Sequence, residues 1–388
     1  MHNSSTVIKT IYPQHGDYSA VLSASTWACF SAEAQTLCDD LSQALLADRE
    51  AREQSDIVAL AYWLRAANIK NIQQEFESSG ERQAIGLAFH IAPANVDTVF
   101  VYSMILAYLL GNPSVVRLSE RLGLSANCIV RVLNTFNNDE RLAGRISLIQ
   151  YPHNEEITQR LSDDAALRVI WGGDQTIKSI QGIELNSICK DIIFPDRYSA
   201  TLLDAKVVLT SDISALVNKF LQDFLPFNQQ ACSSPKTLYW LGDEFAIADA
   251  KNIFWQCMAV QASNKMSLSD AEQYQRECYK QQVALELGCN AKFNNKAGVL
   301  TVECQHVSEE LERQHNGQYV LFEINIKNYE ELKSCLHDNF QSLLTLLPSK
   351  ELKISKVRRL ARVGESLSFH HYWDGINMLS ELSRGLED

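Results

Sequence analysis

The stretch "AIGLAFHIAPANVDTVFVYSMILAYLLGNPSVVRLSE", residues 84–120, decides the fold. Its first part, "AIGLAFHIAP", is apolar and β-like and ends at Pro93. "NVDTVFVYSMILAYLLG" then reads as a buried helix closed by Gly111. "SVVRLSE" is a second short strand. Strand, helix, strand in one run is the signature of a parallel sheet covered on both faces.

The same alternation continues outward. "SANCIVRVLNTFNND" has helical spacing, and "RISLIQYP" and "LRVIWGG" are further strands. On the other side, residues 25–75 are rich in Ala, Leu, Gln, Glu and Asp at helical spacing. Residues 1–205 are therefore read as a helical region followed by a doubly wound α/β lobe suited to a dinucleotide. From "ISALVNKFLQDFLPF" the alternation restarts, with Cys232 and then strands such as "AGVLTVE" and "QYVLFEINI". That makes 206–345 a second α/β lobe. The tail, 346–388, is expected to return to the first lobe through short strands and a final helix, "GINMLSELSRGL".

Bulk properties exclude several classes. Hydrophobic residues make up 46% and charged residues 21%, as in soluble globular chains, and the net charge is -12. No basic block of five or more residues occurs, so nucleic acid and anionic membranes are poor partners. "MHNSSTVIKTIYP" lacks the basic-then-apolar pattern of a signal peptide. The most apolar run, residues 99–110, is too short to span a bilayer. A cytoplasmic location without membrane insertion is expected. The ten cysteines include no Cys-x-x-Cys pair, which points to free thiols in a reducing compartment. His370 and His371, the adjacent histidines, diverge in regular helix or strand, and no metal site is expected.

Four segments can carry chemistry. Cys232 in "PFNQQACSSPKTLYW", residues 226–240, lies among small and polar residues at a helix-to-strand junction. It reads either as a structural cysteine or as a reactive thiol with room for substrate and nearby backbone N–H groups. Asn95, just after Pro93, reads as a helix N-cap, as an amide donor to an oxyanion, or as both. Arg117, at the end of "SVVR", is a solvated charge or a contact for a cofactor phosphate or ribose. Gly172 and Gly173 in "VIWGGDQTI" allow close backbone approach at a helix start. Gly-x-Gly-x-x-Gly, the Walker A loop and Gly-x-Ser-x-Gly are all missing.

In this order, "GLAFHIAPANVDTVF", "GNPSVVRLS", "WGGDQTI", "FPDRYS" (194–199), "QQACSSP" and "WDGINMLSELSR" resemble the LuxC-type acyl-CoA reductases of the aldehyde dehydrogenase superfamily. The resemblance runs from about residue 80 to the C-terminus. It implies an aldehyde dehydrogenase-like fold, two doubly wound α/β lobes with the active site in the cleft between them. It also implies that Cys232 attacks an activated fatty acyl group and that NADPH, with NADH as the alternative, supplies hydride. Asn95 and the Cys232 backbone N–H would hold the resulting alkoxide until an aldehyde leaves. Pro93, Arg117, Ser119, Glu120, Arg121, Gly172 and Gly173 form the implied cofactor-binding set. Arg117 and Arg121, four apart, share a face if helix has begun there, and could grip a 2′-phosphate. Glu120 would favour a free ribose hydroxyl instead.

The implied donor is acyl-CoA or an acyl carrier, with an acyl-protein synthetase or acyltransferase as partner and a homo-oligomer as the assembly. Two departures stand out. The stretch "IIFPDRYS" has no counterpart of the glutamate that activates water in many aldehyde dehydrogenases, which favours reduction over hydrolysis. The glutamate that holds the nicotinamide ribose is likewise not recognisable around "NGQYVLFEI". The alternatives are an aldehyde dehydrogenase working oxidatively toward the acid or the CoA ester, and a catalytically silent scaffold that binds an acyl-transferring partner.

Overall fold

Apolar residues on successive positions of a strand must be covered on both sides, and the central strands of the two large sheets are built that way. The structure, a computed structural model, describes residues 8–386 except 15, 94, 95, 347–353 and 355. The chain forms two units, Met1–Pro195 with Phe369–Asp388, and Asp196–Ser368.

The first unit contains β1 (Lys9–Tyr12), β2 (Arg82–Ala84), β3 (Ala88–Ile91), β4 (Ser114–Arg117), β5 (Ile146–Gln150), β6 (Leu167–Trp171) and β7 (Lys190–Phe194). Its main sheet has the order β1-β5-β4-β3-β6-β7. β1 runs antiparallel to β5, and the remaining pairs are parallel. Val115, Ile149 and Ile170 feed the core on one face. Their neighbours Val116, Leu148 and Val169 feed the other. The helix Val99–Leu109 is buried at every position, as an all-apolar helix must be.

The chain leaves β3 for β4 and β5 on one side, then returns to place β6 and β7 on the other. The carboxyl ends of β3 and β6 therefore flank a topological switch point, the usual ligand crevice of open α/β sheets.

The tail differs from the expected final helix. Only Met378–Glu381 is helical, started by the Asn377 side chain. Ser383–Gly385 is instead extended and pairs antiparallel with β2. The Arg82 guanidinium fastens this strand, donating to Ser383 Oγ at 2.7 Å and to the Ser380 carbonyl at 2.9 Å. The Asn112 amide adds a bond to the Leu382 carbonyl at 2.8 Å.

The second unit contains β8 (Tyr198–Asp204), β9 (Pro235–Leu241), β10 (Lys292–Lys296), β11 (Val299–Glu303), β12 (Val320–Ile326), β13 (Phe340–Thr345) and β14 (Arg359–Arg362). Its order is β10-β11-β12-β9-β8-β13-β14, parallel except for the β10–β11 hairpin. Leu238 and Trp240 face one core, Tyr239 and Leu241 the other.

The units divide at Pro195/Asp196 rather than at 205/206, because β8 is hydrogen-bonded between β9 and β13. Residues 346–368 stay with the second unit, because β14 pairs with β13, and the first unit resumes at Phe369.

Candidate active site

Cys232 is half-buried and follows a turn that no regular element explains. Phe227, Asn228 and Gln229 are all left-handed, with φ of 53°, 49° and 66°. For residues with a Cβ this conformation costs about 1–3 kcal/mol each and persists only where surroundings enforce it.

The enforcing contacts come from β12 and the loop before it. Gln229 is fully buried, and its amide donates to the carbonyls of Pro235 at 2.8 Å and Val320 at 2.7 Å. Its Oε1 accepts from the Val320 N–H at 2.9 Å. Asn228 offers its carbonyl to the Gln318 N–H at 2.6 Å and its Oδ1 to the Tyr319 hydroxyl at 2.7 Å. Gly317, Gln318 and Tyr319 are themselves left-handed, so two such turns interlock. A Cβ on Gly317 would lie 2.8 Å from the Asn228 carbonyl oxygen.

The buried His315 supports the second turn. Its Nδ1 accepts from the Gly317 N–H at 3.1 Å, which leaves the proton on Nε2, facing the Val320 carbonyl at 3.2 Å. Burial, with Lys236 nearby, holds this imidazole well below its ordinary pKa and hence neutral.

Strand register brings a second stretch to Cys232. Ser199 of β8 pairs with Pro235 of β9. Asp196 and Cys232 each precede their partner of that pair by three residues, so they meet at the amino ends of neighbouring parallel strands. Cys232 Sγ lies 4.0 Å from Asp196 Oδ1. Ser199 Oγ donates to the Cys232 carbonyl at 2.7 Å. "FPDRYS" has no glutamate, yet it supplies a carboxylate beside the thiol. Sequence reasoning missed Asp196, because it reads no strand at Tyr198–Asp204 and assigns that stretch to the first lobe; only the pairing of β8 with β9 brings the carboxylate to Cys232.

The other thiols are less suited to attack where burial raises their pKa. Burial lifts Cys189 to about 11 and Cys304 to about 12, and pushes Cys38 higher still.

In the first unit, Pro93 follows β3, Arg117 and Ser119 end and follow β4, and Gly172 and Gly173 follow β6. These are the carboxyl ends of three adjacent strands. Asn95 lies outside the described residues. Asp97, just beyond it, accepts from the Ala126 N–H at 3.2 Å, which ties the loop after β3 to the helix Leu124–Asn134 that follows β4.

Arg117 lies over the Tyr151 ring, 4.8 Å from its centroid, and its Nη2 donates to the Tyr151 carbonyl at 3.4 Å. Its buried Nε has no hydrogen-bond partner among the described residues. Glu120 and Arg121 are exposed in a bend, and helix starts only at Leu124. The expected shared helical face of Arg117 and Arg121 is therefore corrected: one ends a strand and the other lies in the bend. Ser119 Oγ accepts from the Arg121 N–H at 3.3 Å and shapes that bend. Gly173 is the N-cap position of the helix Asp174–Gln181.

Two further expectations meet the structure. Glu323, the glutamate of "QYVLFEI", is buried and accepts from the Trp240 and Trp255 indoles at 3.1 and 3.0 Å and from Lys296 at 2.6 Å. Its carboxylate is committed to the core. The expected divergence of His370 and His371 is corrected: their rings stack at 4.3 Å between centroids, because both residues lie in irregular chain. With Glu75 they place potential ligand atoms within 4.8 Å of one another.

The family model described as "Acyl-CoA reductase (LuxC)" matches residues 65–385. The long-chain acyl-protein thioester reductase of Aliivibrio fischeri is 28% identical over 168 residues, 42% of this chain and 34% of that protein. The protein of that name from Photorhabdus laumondii is 22% identical over 232 residues, 55% of this chain and 47% of its own length. The matched stretch thus spans about a third to a half of these relatives.

Among solved structures, an NAD-dependent aldehyde dehydrogenase from Sinorhizobium meliloti superposes with a TM-score of 0.65 at 12% identity, covering 89% of this chain and 78% of that one. An oxidoreductase from Marinobacter aquaeolei gives 0.65 at 13% identity, covering 89% and 82%. Likeness at these identities establishes the aldehyde dehydrogenase-like fold. With the family model matched across both units, the chain belongs to the LuxC acyl-CoA reductase family.

Proposed function

We propose that this chain reduces an activated fatty acyl thioester to the aldehyde through an acyl group carried on Cys232. The observation that carries the reading is the placement of this thiol. It is half-buried, and interlocked left-handed turns and the Gln229 amide hold its loop. Such rigidity suits a nucleophile, because reaction rate depends steeply on the position of the attacking atom.

Cys232 Sγ attacks the acyl carbonyl and the donor thiol departs, leaving a thioester on the enzyme. A nicotinamide coenzyme, when bound, supplies the hydride that reduces it. The carboxyl ends of β3, β4 and β6 fit such a group: they flank the switch point, and Arg117 keeps a buried Nε without a partner among the described residues. Pro93, Arg117, Ser119, Gly172 and Gly173 would hold it, with Glu120 and Arg121 deciding between NADPH and NADH. We favour NADPH on the family resemblance. The Asn95 amide is assigned to the developing alkoxide. The curated relatives are named for protein-bound acyl thioesters, so the donor is an acyl-CoA or an acyl group on a partner synthetase, acyltransferase or carrier.

One observation favours a second reading, oxidation of an aldehyde to the acid. The carboxylate of Asp196, 4.0 Å from Sγ, could activate water against the thioester. Incubation with tetradecanoyl-CoA, followed by mass spectrometry and product analysis, separates the readings. Reduction requires an acyl adduct on Cys232, absent in Cys232→Ser, and one aldehyde per NADPH consumed. Absence of the adduct, or free acid as the main product in the presence of NADPH, removes the reductase reading.

A further inference from the structure

We propose that Asp196 is the proton acceptor for the Cys232 thiol during acylation, a role that rests on the reductase reading above. Three observations carry it. The Asp196 carboxylate oxygen is 4.0 Å from Sγ, at the length of a sulfur hydrogen bond. The β8–β9 register, with Ser199 paired to Pro235, places the two residues side by side across the sheet. The Ser199 hydroxyl, only three residues beyond Asp196, holds the Cys232 carbonyl at 2.7 Å. One short segment therefore contacts the nucleophilic residue at both backbone and side chain.

A carboxylate beside a thiol opposes formation of a free thiolate, since the two negative charges would repel. It can instead accept the proton as the new bond forms, which is general-base catalysis. As the Sγ–carbon bond forms, the S–H proton moves to the Asp196 carboxylate. As the bond from the acyl carbon to the donor sulfur breaks, Asp196 returns that proton to the departing thiolate. The thiol of the donor is released, Cys232 carries the acyl group, and Asp196 is again a carboxylate. No oxidant or reductant enters this half of the reaction. Delivering the proton with the attack also spares the resting enzyme an exposed thiolate open to oxidation.

The test compares wild type with Asp196→Asn and Asp196→Glu in the full chain. Asp196 is exposed, so neither change disturbs the core. Two rates are measured without coenzyme: alkylation of Cys232 by iodoacetamide at pH 7, and acylation by tetradecanoyl-CoA in a single turnover, both followed by mass spectrometry of the Cys232 peptide. In Asp196→Asn, alkylation should rise about five-fold, the effect of removing one charge 4.0 Å away in water. Acylation should fall about 10²-fold or more, the usual worth of a general base. Asp196→Glu should recover part of the acylation rate.

A merely structural role would move both rates in the same direction. Alkylation unchanged in Asp196→Asn overturns the proposal whether or not the wild type accepts an acyl group. Acylation at the wild-type rate with a longer-lived acyl-enzyme also overturns it, and would assign Asp196 to water activation. If the wild type takes no acyl group at all, the reductase reading fails separately, and alkylation alone then decides whether Asp196 controls the thiol.

Discussion

Ser199 Oγ donates to the carbonyl of Cys232 at 2.7 Å and accepts from the Ser342 N–H at 3.2 Å, so one hydroxyl ties the candidate nucleophile to β8 and β13. Ser199 is fully buried. Ser199→Ala should lower unfolding free energy by about 1–3 kcal/mol, the cost of leaving buried partners unmade. It should also slow acylation of Cys232 beyond what the stability loss explains, because the loop loses its anchor. Denaturant titration and single-turnover acylation check this; unchanged acylation would show that Ser199 serves folding alone.

The interlocked turns make Gly317 a second sensitive point. Its φ is 76°, and an added Cβ would press on the Asn228 carbonyl oxygen at 2.8 Å and the Gln229 carbonyl carbon at 2.9 Å. Gly317→Ala should cost about 2–3 kcal/mol through strain and displacement of the Gln229 turn. Acylation should drop with it, although Gly317 is 85 residues away in sequence. A variant with wild-type stability and acylation would mean the turns are not coupled.

Acid should weaken the first unit through His90. Its ring is buried between Ser103 Oγ at 2.7 Å and Ser114 Oγ at 3.3 Å, and burial holds its pKa at about 3 rather than 6.5. A folded pKa below the unfolded value means that the unfolded chain binds the proton first. This contribution to stability is full above about pH 6.5 and is lost as pH falls toward about 3. By about pH 4.5 the loss should reach roughly 2–3 kcal/mol. His315 acts in the same direction. His90→Gln should flatten the fall in denaturation midpoint between these pH values; an unaltered slope would remove His90 as a cause.

On the proposed reading, coenzyme choice would turn on Glu120 and Arg121, both exposed in one bend. Glu120→Ser should increase preference for NADPH about five-fold, the scale of one exposed charge pair. Arg121→Ala should weaken NADPH by a similar factor and leave NADH nearly untouched. Ratios of kcat/KM for both coenzymes decide the matter. A wild type that prefers NADH, reversed by Glu120→Ser, would give the choice to the carboxylate.

Asn95→Ala should lower kcat by roughly 10²–10³ while moving KM far less, as loss of a donor to developing charge does. An effect confined to melting temperature would leave Asn95 as a helix cap.

Much of the fold was legible because its signals are local. The helix Val99–Leu109 and the strands Ser114–Arg117, Ile146–Gln150, Leu167–Trp171 and Pro235–Leu241 lie where apolar runs and their flanking Pro and Gly residues place them. Strands buried on both faces declare a doubly wound sheet without any knowledge of their partners. The tail is not legible in the same way: "MLSELSRGL" has helical composition, and only pairing with β2 makes Ser383–Gly385 extended.

The sequence by itself determined the class of the two sheets and the unusual setting of Cys232 among small polar residues. Tertiary structure alone decided that Asp196 lies beside that thiol, that Glu323 is spent on two indoles and a lysine, and that Arg117 and Arg121 occupy a strand end and a bend. The reason is physical: periodicity and capping act over a few residues, whereas strand register and the burial of a charge are settled by pairing and packing between segments far apart in the chain.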